Sequence, residues 1–95
     1  MAEHTTHAFE ELVAKQRAAD QAHNRVEELR HSFGPPTEHL WTQQQTATYE
    51  TALRAWRDLD RDARSTLAEY AKERGRPRQE VQADVEAAVR RREPE

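Results

Sequence analysis

The stretch that decides the fold is SFGPPTEHLWTQQQ, residues 32–45, because it ends one helix and begins the next. Gly34 favours the left-handed conformation that closes helices, and the two prolines after it cannot continue one. Farther along, Thr42 and Gln45 match a capping box, in which the threonine hydroxyl accepts a hydrogen bond from the amide three residues on. The stretch therefore predicts a connection over residues 33–41 between two antiparallel helices.

Outward from this connection, glycine, proline and threonine mark the remaining helix ends. Thr5 or Thr6 is the predicted N-cap of the first helix, and Thr37 is a second cap candidate for helix two, after Thr42. Gly75 ends helix two, and Pro77, which suits a first helical turn, opens helix three. The predicted helices span about residues 5–32, 42–74 and 77–92.

Both long helices carry apolar residues at a seven-residue period, which is typical of coiled coils. In helix one the period is seen at Leu12, Ala19, Val26 and Phe33. In helix two it is seen at Tyr49, Trp56, Ala63 and Tyr70. Such stripes predict that the two helices pack along a continuous seam.

Pairing Phe33 with Thr42 across the connection sets a register for this seam. The facing pairs that follow are Ala19 with Trp56, Leu12 with Ala63, Val26 with Tyr49, Ala22 with Leu53, and Lys15 with Asp60. Large residues then mostly face small ones, as interdigitated packing requires. A slip of one turn would instead set Trp56 against Lys15 or His23.

Helix three carries a narrow apolar stripe that needs a host surface. Its members are Val81, Val85, Ala88 and Val89. Apolar residues are also left uncovered at the open end of the hairpin, namely Phe9, Val13, Leu67 and Tyr70. We therefore predict a single all-α domain over residues 1–95: a long antiparallel, coiled-coil-like hairpin with a short third helix folded back on its open end.

The composition predicts solvated helices around a small apolar core, and it argues against several function classes. Leu, Ile, Val and Phe together supply 13 of the 95 residues, Ala supplies 15, Cys is absent, and the net charge is −3. No apolar run approaches the ~20 residues of a membrane span, and no secretory h-region is found. We expect a cytoplasmic, non-enzymatic protein with no catalytic residues, no cofactor and no metal site.

The acidic cluster on helix two has two interpretations, a catalytic site and a solvated face. Asp58, Asp60 and Asp62 alternate with Arg57, Arg61 and Arg64. Carboxylates that act as acid or base need a concave apolar pocket, which a helical rod offers poorly. The alternation instead predicts a solvated face with ion pairs three or four residues apart.

The leading functional prediction is a helical protein-protein interaction or oligomerisation module. Its partner is either a second copy of the chain, which gives a homodimer, or another helical protein. A lone hairpin buries one side of each helix, and the apolar residues of helix two spread over more than one stripe. Trp41, which precedes the helix cap, is predicted either to cover the turn by packing on Leu29 or Phe33, or to anchor a partner.

The alternative prediction is a small nucleic-acid-associated regulatory protein that uses the basic C-terminal region. Its candidate contacts are Arg74, Arg76, Arg78, Arg90, Arg91 and Arg92. The span from Ala71 also resembles a helix-turn-helix, since Gly75 and Val81 fall at that motif's turn glycine and buried aliphatic. Asp84 stands where the motif has another apolar residue.

The hairpin plan is also similar to that of small type VII secretion substrates, whose turn carries Trp-x-Gly. Here the turn has Ser32 two residues before Gly34. The family's export motif places an acidic residue four after a tyrosine, whereas Tyr70 is followed by Arg74. These residues do not assign the chain to that family.

Overall fold

The protein forms three helices, of which two make a long hairpin and the third is shorter. A computed structural model describes residues 8–35, 37 and 40–91. The helices are α1 (Phe9–Phe33), α2 (Gln43–Arg74) and α3 (Arg78–Arg91). Helices α1 and α2 pack along one another, α3 contacts both, and the molecule is 55 Å long. The predicted all-α hairpin with a third helix on its open end is confirmed.

The capping box fixes the start of α2. The Thr42 hydroxyl accepts a hydrogen bond from the Gln45 amide at 3.0 Å, and the Gln45 side-chain oxygen accepts one from the Thr42 amide at 3.0 Å. Both donors would otherwise lack a partner in the first turn. The preference for Thr42 over Thr37 as the cap of α2 is therefore confirmed.

Glycines follow the first two helices, in different conformations. Gly75, which was predicted to end helix two, has φ 64° and ψ 34°, the left-handed helical conformation, and its amide donates to the carbonyls of Ala71 and Lys72. Gly34, for which the left-handed helical conformation was predicted, has φ 82° but ψ 168°, so it leaves the helix in an extended, positive-φ conformation instead. Such a conformation is essentially restricted to glycine, which explains the residue at this position.

The start of α1 lies later than predicted. The helix begins at Phe9, because Ala8 is extended with φ −79° and ψ 149°, and no side chain caps it. The predicted start near residue 5 is therefore wrong, and the proposed caps Thr5 and Thr6 lie outside the described residues. Glu10 and Glu11 stand in the first turn. Their charges interact favourably with the positive end of the helix dipole, in place of a cap.

The hydrophobic core lies at the open end of the hairpin, where α3 packs across both other helices. Its buried members are Leu12, Val13, Leu67, Tyr70, Ala71, Val81, Val85, Ala88 and Val89, with Phe9 packed against them. Val81 and Val85 are fully buried. The predicted docking of the α3 stripe on the open end is confirmed.

The predicted register of the hairpin is wrong by about one turn. Trp56 stacks on His23 with ring centroids 4.7 Å apart, where the prediction had placed Ala19. Likewise, Lys15 contacts Asp62 instead of Asp60. The alternative with Trp56 against His23 is the one that the structure adopts. Trp56 is half-buried as a result.

The physical reason for the shift is Trp41. Its ring packs on Phe33 at a centroid distance of 5.4 Å and on Tyr49 at 5.0 Å. The indole, instead of Thr42, thus occupies the space beside the end of α1. A bulky ring inside the connection displaces α2 along α1. The heptad pattern contains no information about the space that this ring occupies.

Candidate functional site

Trp41 closes the turn end of the hairpin. Besides its contacts with Phe33 and Tyr49, its indole nitrogen donates a hydrogen bond to the Gly34 carbonyl at 2.9 Å. These contacts agree with the predicted packing on Phe33, and they leave the ring half-buried. A role for Trp41 as partner anchor stays a prediction. Beside it, Leu40 is 95% exposed, and sequence reasoning missed this residue.

One face of the hairpin, on the side of α2 opposite Arg57 and Arg61, is built from small side chains. On α2 it comprises Thr48, Ala52, Ala55 and Leu59, which share a side of the helix by their spacing. On α1 we assign Ala18 and Ala22 to it, because their spacing puts them on the same side of that helix as Arg25, which stands at its border. We call these residues the small-residue face. Arg25 lines one shallow apolar depression together with Thr48, Ala52 and Ala55, which places the two helices' contributions side by side.

Leu59 is the large apolar side chain of the small-residue face, and it is 38% exposed. Small neighbours leave room for another helix backbone to approach, because the separation of packed helices depends on the side chains at the contact. Elsewhere on α2, fewer apolar side chains remain uncovered than the sequence pattern predicts. Leu67 lies under α3, Tyr49 packs on Trp41, and Trp56 packs on His23.

Lys15 is the polar residue of the seam, and its partners are internal. The ammonium lies 2.8 Å from the Asp62 carboxylate, 3.2 Å from the Thr66 hydroxyl and 3.8 Å from Glu11. The hydrogen bond to Asp62 raises the pKa of Lys15 above its ordinary value. This cluster tethers α1 to α2, and nothing in it suggests a reactive amine.

The C-terminal arginines, which were the predicted nucleic-acid contacts, differ in their surroundings. Arg76 lies 2.9 Å from Asp84 and 3.6 Å from Glu80, and the hydrogen bond to Asp84 raises the pKa of Arg76. Arg74 stacks over the ring of Tyr70 at 4.6 Å. Both are therefore already engaged inside the molecule.

The other four predicted contacts do not form one group. Arg78 begins α3, whereas Arg90 and Arg91 stand exposed in its last turn. Arg92 lies outside the described residues. The structure thus separates Arg78 from the C-terminal pair by the length of α3.

A second basic surface, which sequence reasoning missed, runs along α2. Its members are Arg54, Arg57, Arg61 and Arg64, with Arg78 of α3 beside them. Their spacing of three, four and three residues puts them on one side of the helix. That spacing is visible in the sequence, but the intervening aspartates predict local ion pairs instead. Two predicted pairs are present, Arg61–Asp58 at 3.6 Å and Arg64–Asp60 at 2.9 Å.

Two further findings concern the described part of the chain. Within residues 8–35, 37 and 40–91, no three His, Asp or Glu side chains come together as a possible metal site. Over the same residues, no helix has both the length and the apolar character needed to cross a membrane.

Comparison with known proteins adds no assignment. No protein family, no curated protein and no solved structure matches this chain. Any functional conclusion therefore depends on the surfaces of this molecule alone.

Proposed function

We propose that this chain is a helical protein-protein interaction module that forms a homodimer through the small-residue face. The observation that carries the proposal is Leu59, an exposed large apolar side chain on a face otherwise made of alanine and threonine. Two such faces, packed together, would form a four-helix bundle. Cytoplasmic localisation stays a prediction from the sequence.

The position of this face supports the proposal. The buried cluster at the open end gathers residues of all three helices. Helix α3 reaches the middle of α2 through Arg78, beside Arg57 and Arg61, which is the side of α2 opposite Ala55 and Leu59. A helical layer is stabilised by burying its apolar stripe against a further layer. A second hairpin provides that layer for Leu59, and α3 does not.

The symmetry of the face also favours self-association. Both helices of the hairpin contribute to it, so a twofold axis within the interface sets each helix against a helix of the partner. Neither Ala52 nor Ala55 carries a charge that this contact would desolvate. Arg25 stands at the border, where an interface is ordinarily polar and hydrated.

The test is the molar mass of the protein and of two matched variants at tens of micromolar, measured by sedimentation equilibrium. The wild type should have twice the 11.1 kDa of the chain. Ala55→Glu, which puts a charge into the small-residue face, should be a folded monomer. Ala83→Glu places the same change at an exposed position of α3 and should remain dimeric.

Two results would contradict the proposal. A wild type of single-chain mass at every concentration would exclude the homodimer. A dimer that survives Ala55→Glu would place the interface on another surface. Helical circular dichroism of each variant shows whether the monomer is folded.

A further inference from the structure

The basic surface along α2 has no role in the proposed dimer. We call Arg54, Arg57, Arg61, Arg64 and Arg78 the arginine row. All five side chains are exposed. At 100° per residue, the row lies on the side of α2 opposite Ala52, Ala55 and Leu59. A homodimer built on the small-residue face therefore leaves the row open to solvent.

Most of the charge in the row is not neutralised internally. Arg54, Arg57 and Arg78 form no ion pair with any carboxylate of the described residues. Arg61 and Arg64 do form pairs, but their side chains remain 76% and 78% exposed. Exposed pairs of this kind contribute about 0–1 kcal/mol, so a stronger anionic ligand can replace them.

The shape of the row suits a linear polyanion. From Arg54 to Arg64 the helix rises by about 15 Å, at 1.5 Å per residue. Its four arginines follow one another at about 4.5–6 Å along the helix axis. Phosphates of one strand of duplex DNA follow one another at about 3.4 Å of axial rise, so the row has the length of four to five phosphates with fewer guanidinium groups than phosphates. Each guanidinium can bind a phosphate through two parallel hydrogen bonds.

From this geometry we propose that the arginine row binds the phosphate backbone of duplex nucleic acid, independently of sequence. The surface beside the arginines is formed by Ser65 and Ala68 near Arg64 and Arg78, and by Glu50 and Leu53 near Arg54 and Arg57. Without an aromatic ring there, it lacks the stacking platform of proteins that bind single strands. Its apolar part is limited to Ala68 and the half-buried Leu53, which is smaller than the apolar centre that a protein interface ordinarily has.

The expected binding is weak and sensitive to salt. The whole chain carries a net charge of −3, and Glu50, Asp58 and Asp60 stand beside the row. Their repulsion limits affinity to no tighter than about 10⁻⁶ M at physiological salt, the range of non-specific binding. At low salt, counterion release strengthens the contact, with a slope of about 0.9 for each phosphate engaged.

Fluorescence anisotropy with a labelled random-sequence DNA duplex, titrated at several salt concentrations, tests the inference. Arg54→Gln/Arg57→Gln should weaken binding by roughly tenfold or more at low salt and lower the salt slope by about 2. The matched control is Arg90→Gln/Arg91→Gln, which removes the same charge from the end of α3 and should change both quantities little.

Three outcomes overturn the inference. A larger effect of the Arg90/Arg91 variant would move the contact to the C-terminal helix. Absence of binding at low salt would exclude nucleic acid. Binding to polyglutamate with higher affinity than to DNA would identify the row as a surface for acidic proteins. None of these results bears on the homodimer, which the molar mass tests separately.

Discussion

The open end and the turn end of the hairpin are built from the same two helices but hold together differently. At the open end, α3 lies across both, and valines 81 and 85 are fully buried among Leu12, Leu67 and Tyr70. Toward the turn, α1 and α2 pack on each other, Trp56 is half-buried, and Leu59, on the side of α2 opposite Arg78 of α3, is 38% exposed. The comparison indicates that α3 supplies stability at one end and leaves the surface of the other end available to a partner.

The largest expected effect comes from removing α3. A chain that ends after Arg74 loses the burial of Val81, Val85 and Val89, and fully burying a valine contributes about 1.5–3 kcal/mol. We expect its free energy of unfolding to fall by about 5 kcal/mol on that scale. Urea denaturation followed by circular dichroism measures the loss. An unchanged midpoint would mean that α3 is an independent appendage and that both ends are equally stable.

Alanine substitutions of two aromatic residues in the seam compare how much single side chains contribute to stability toward each end. Tyr70 is 7% exposed and packs on Phe9, whereas Trp56 is half-buried on His23. Tyr70→Ala should therefore cost about 3–5 kcal/mol, the range for buried aromatic residues, and Trp56→Ala only about 1–2 kcal/mol. Denaturant midpoints decide the order. A larger loss for Trp56→Ala would reverse the comparison.

The sequence could predict the bounds of α2 and the docking of α3 well because the signals for these features are local. The capping box at Thr42, the glycine at 75 and the valine stripe each specify one feature without reference to the rest. Once the helices are placed, the apolar residues left without a cover lie together. Docking of α3 then follows from the need to bury them.

The register and the surfaces could not be predicted in the same way. The register depends on how the Trp41 ring packs between Phe33 and Tyr49, which is a three-dimensional fit within the connection. A heptad pattern permits slips of one turn because apolar residues recur on every turn of the seam. The arginine row was visible as a spacing, but only the structure shows that Arg78 joins it.

Two alanines on adjacent turns of α1 test which side chains lie in the seam between α1 and α2. Ala19 is 1% exposed, whereas Ala22 is half-buried in the small-residue face. Enlarging Ala19 to Leu should overpack the seam and cost about 1–3 kcal/mol. Ala22→Leu should change the unfolding free energy of the monomer by less than about 0.5 kcal/mol. Equal costs at both sites would contradict the assignment of Ala19 to the seam and Ala22 to the open face.

The smallest expected effect concerns Lys15, which lies between the two ends. Because Asp62 raises its pKa in the folded state, the stabilisation is fully present below the unfolded lysine pKa of about 10.4 and is lost as pH rises through the higher folded value. With a partly exposed pair, Lys15→Gln should cost at most about 1 kcal/mol at neutral pH. Urea titrations of both proteins at neutral and strongly alkaline pH should show the difference vanish. A constant difference would mean that the ion pair is not its source.

The most direct test of the division between the two ends is backbone hydrogen exchange at two protein concentrations, one below and one above dimerisation. Peptides covering residues 18–25 and 48–59 should gain protection at the higher concentration, because the small-residue face is then covered. Peptides covering residues 67–89 should exchange slowly at both concentrations and gain much less. Protection that increases mainly in α3, or that increases nowhere with concentration, would contradict the claim that the open end stabilises and the turn end associates.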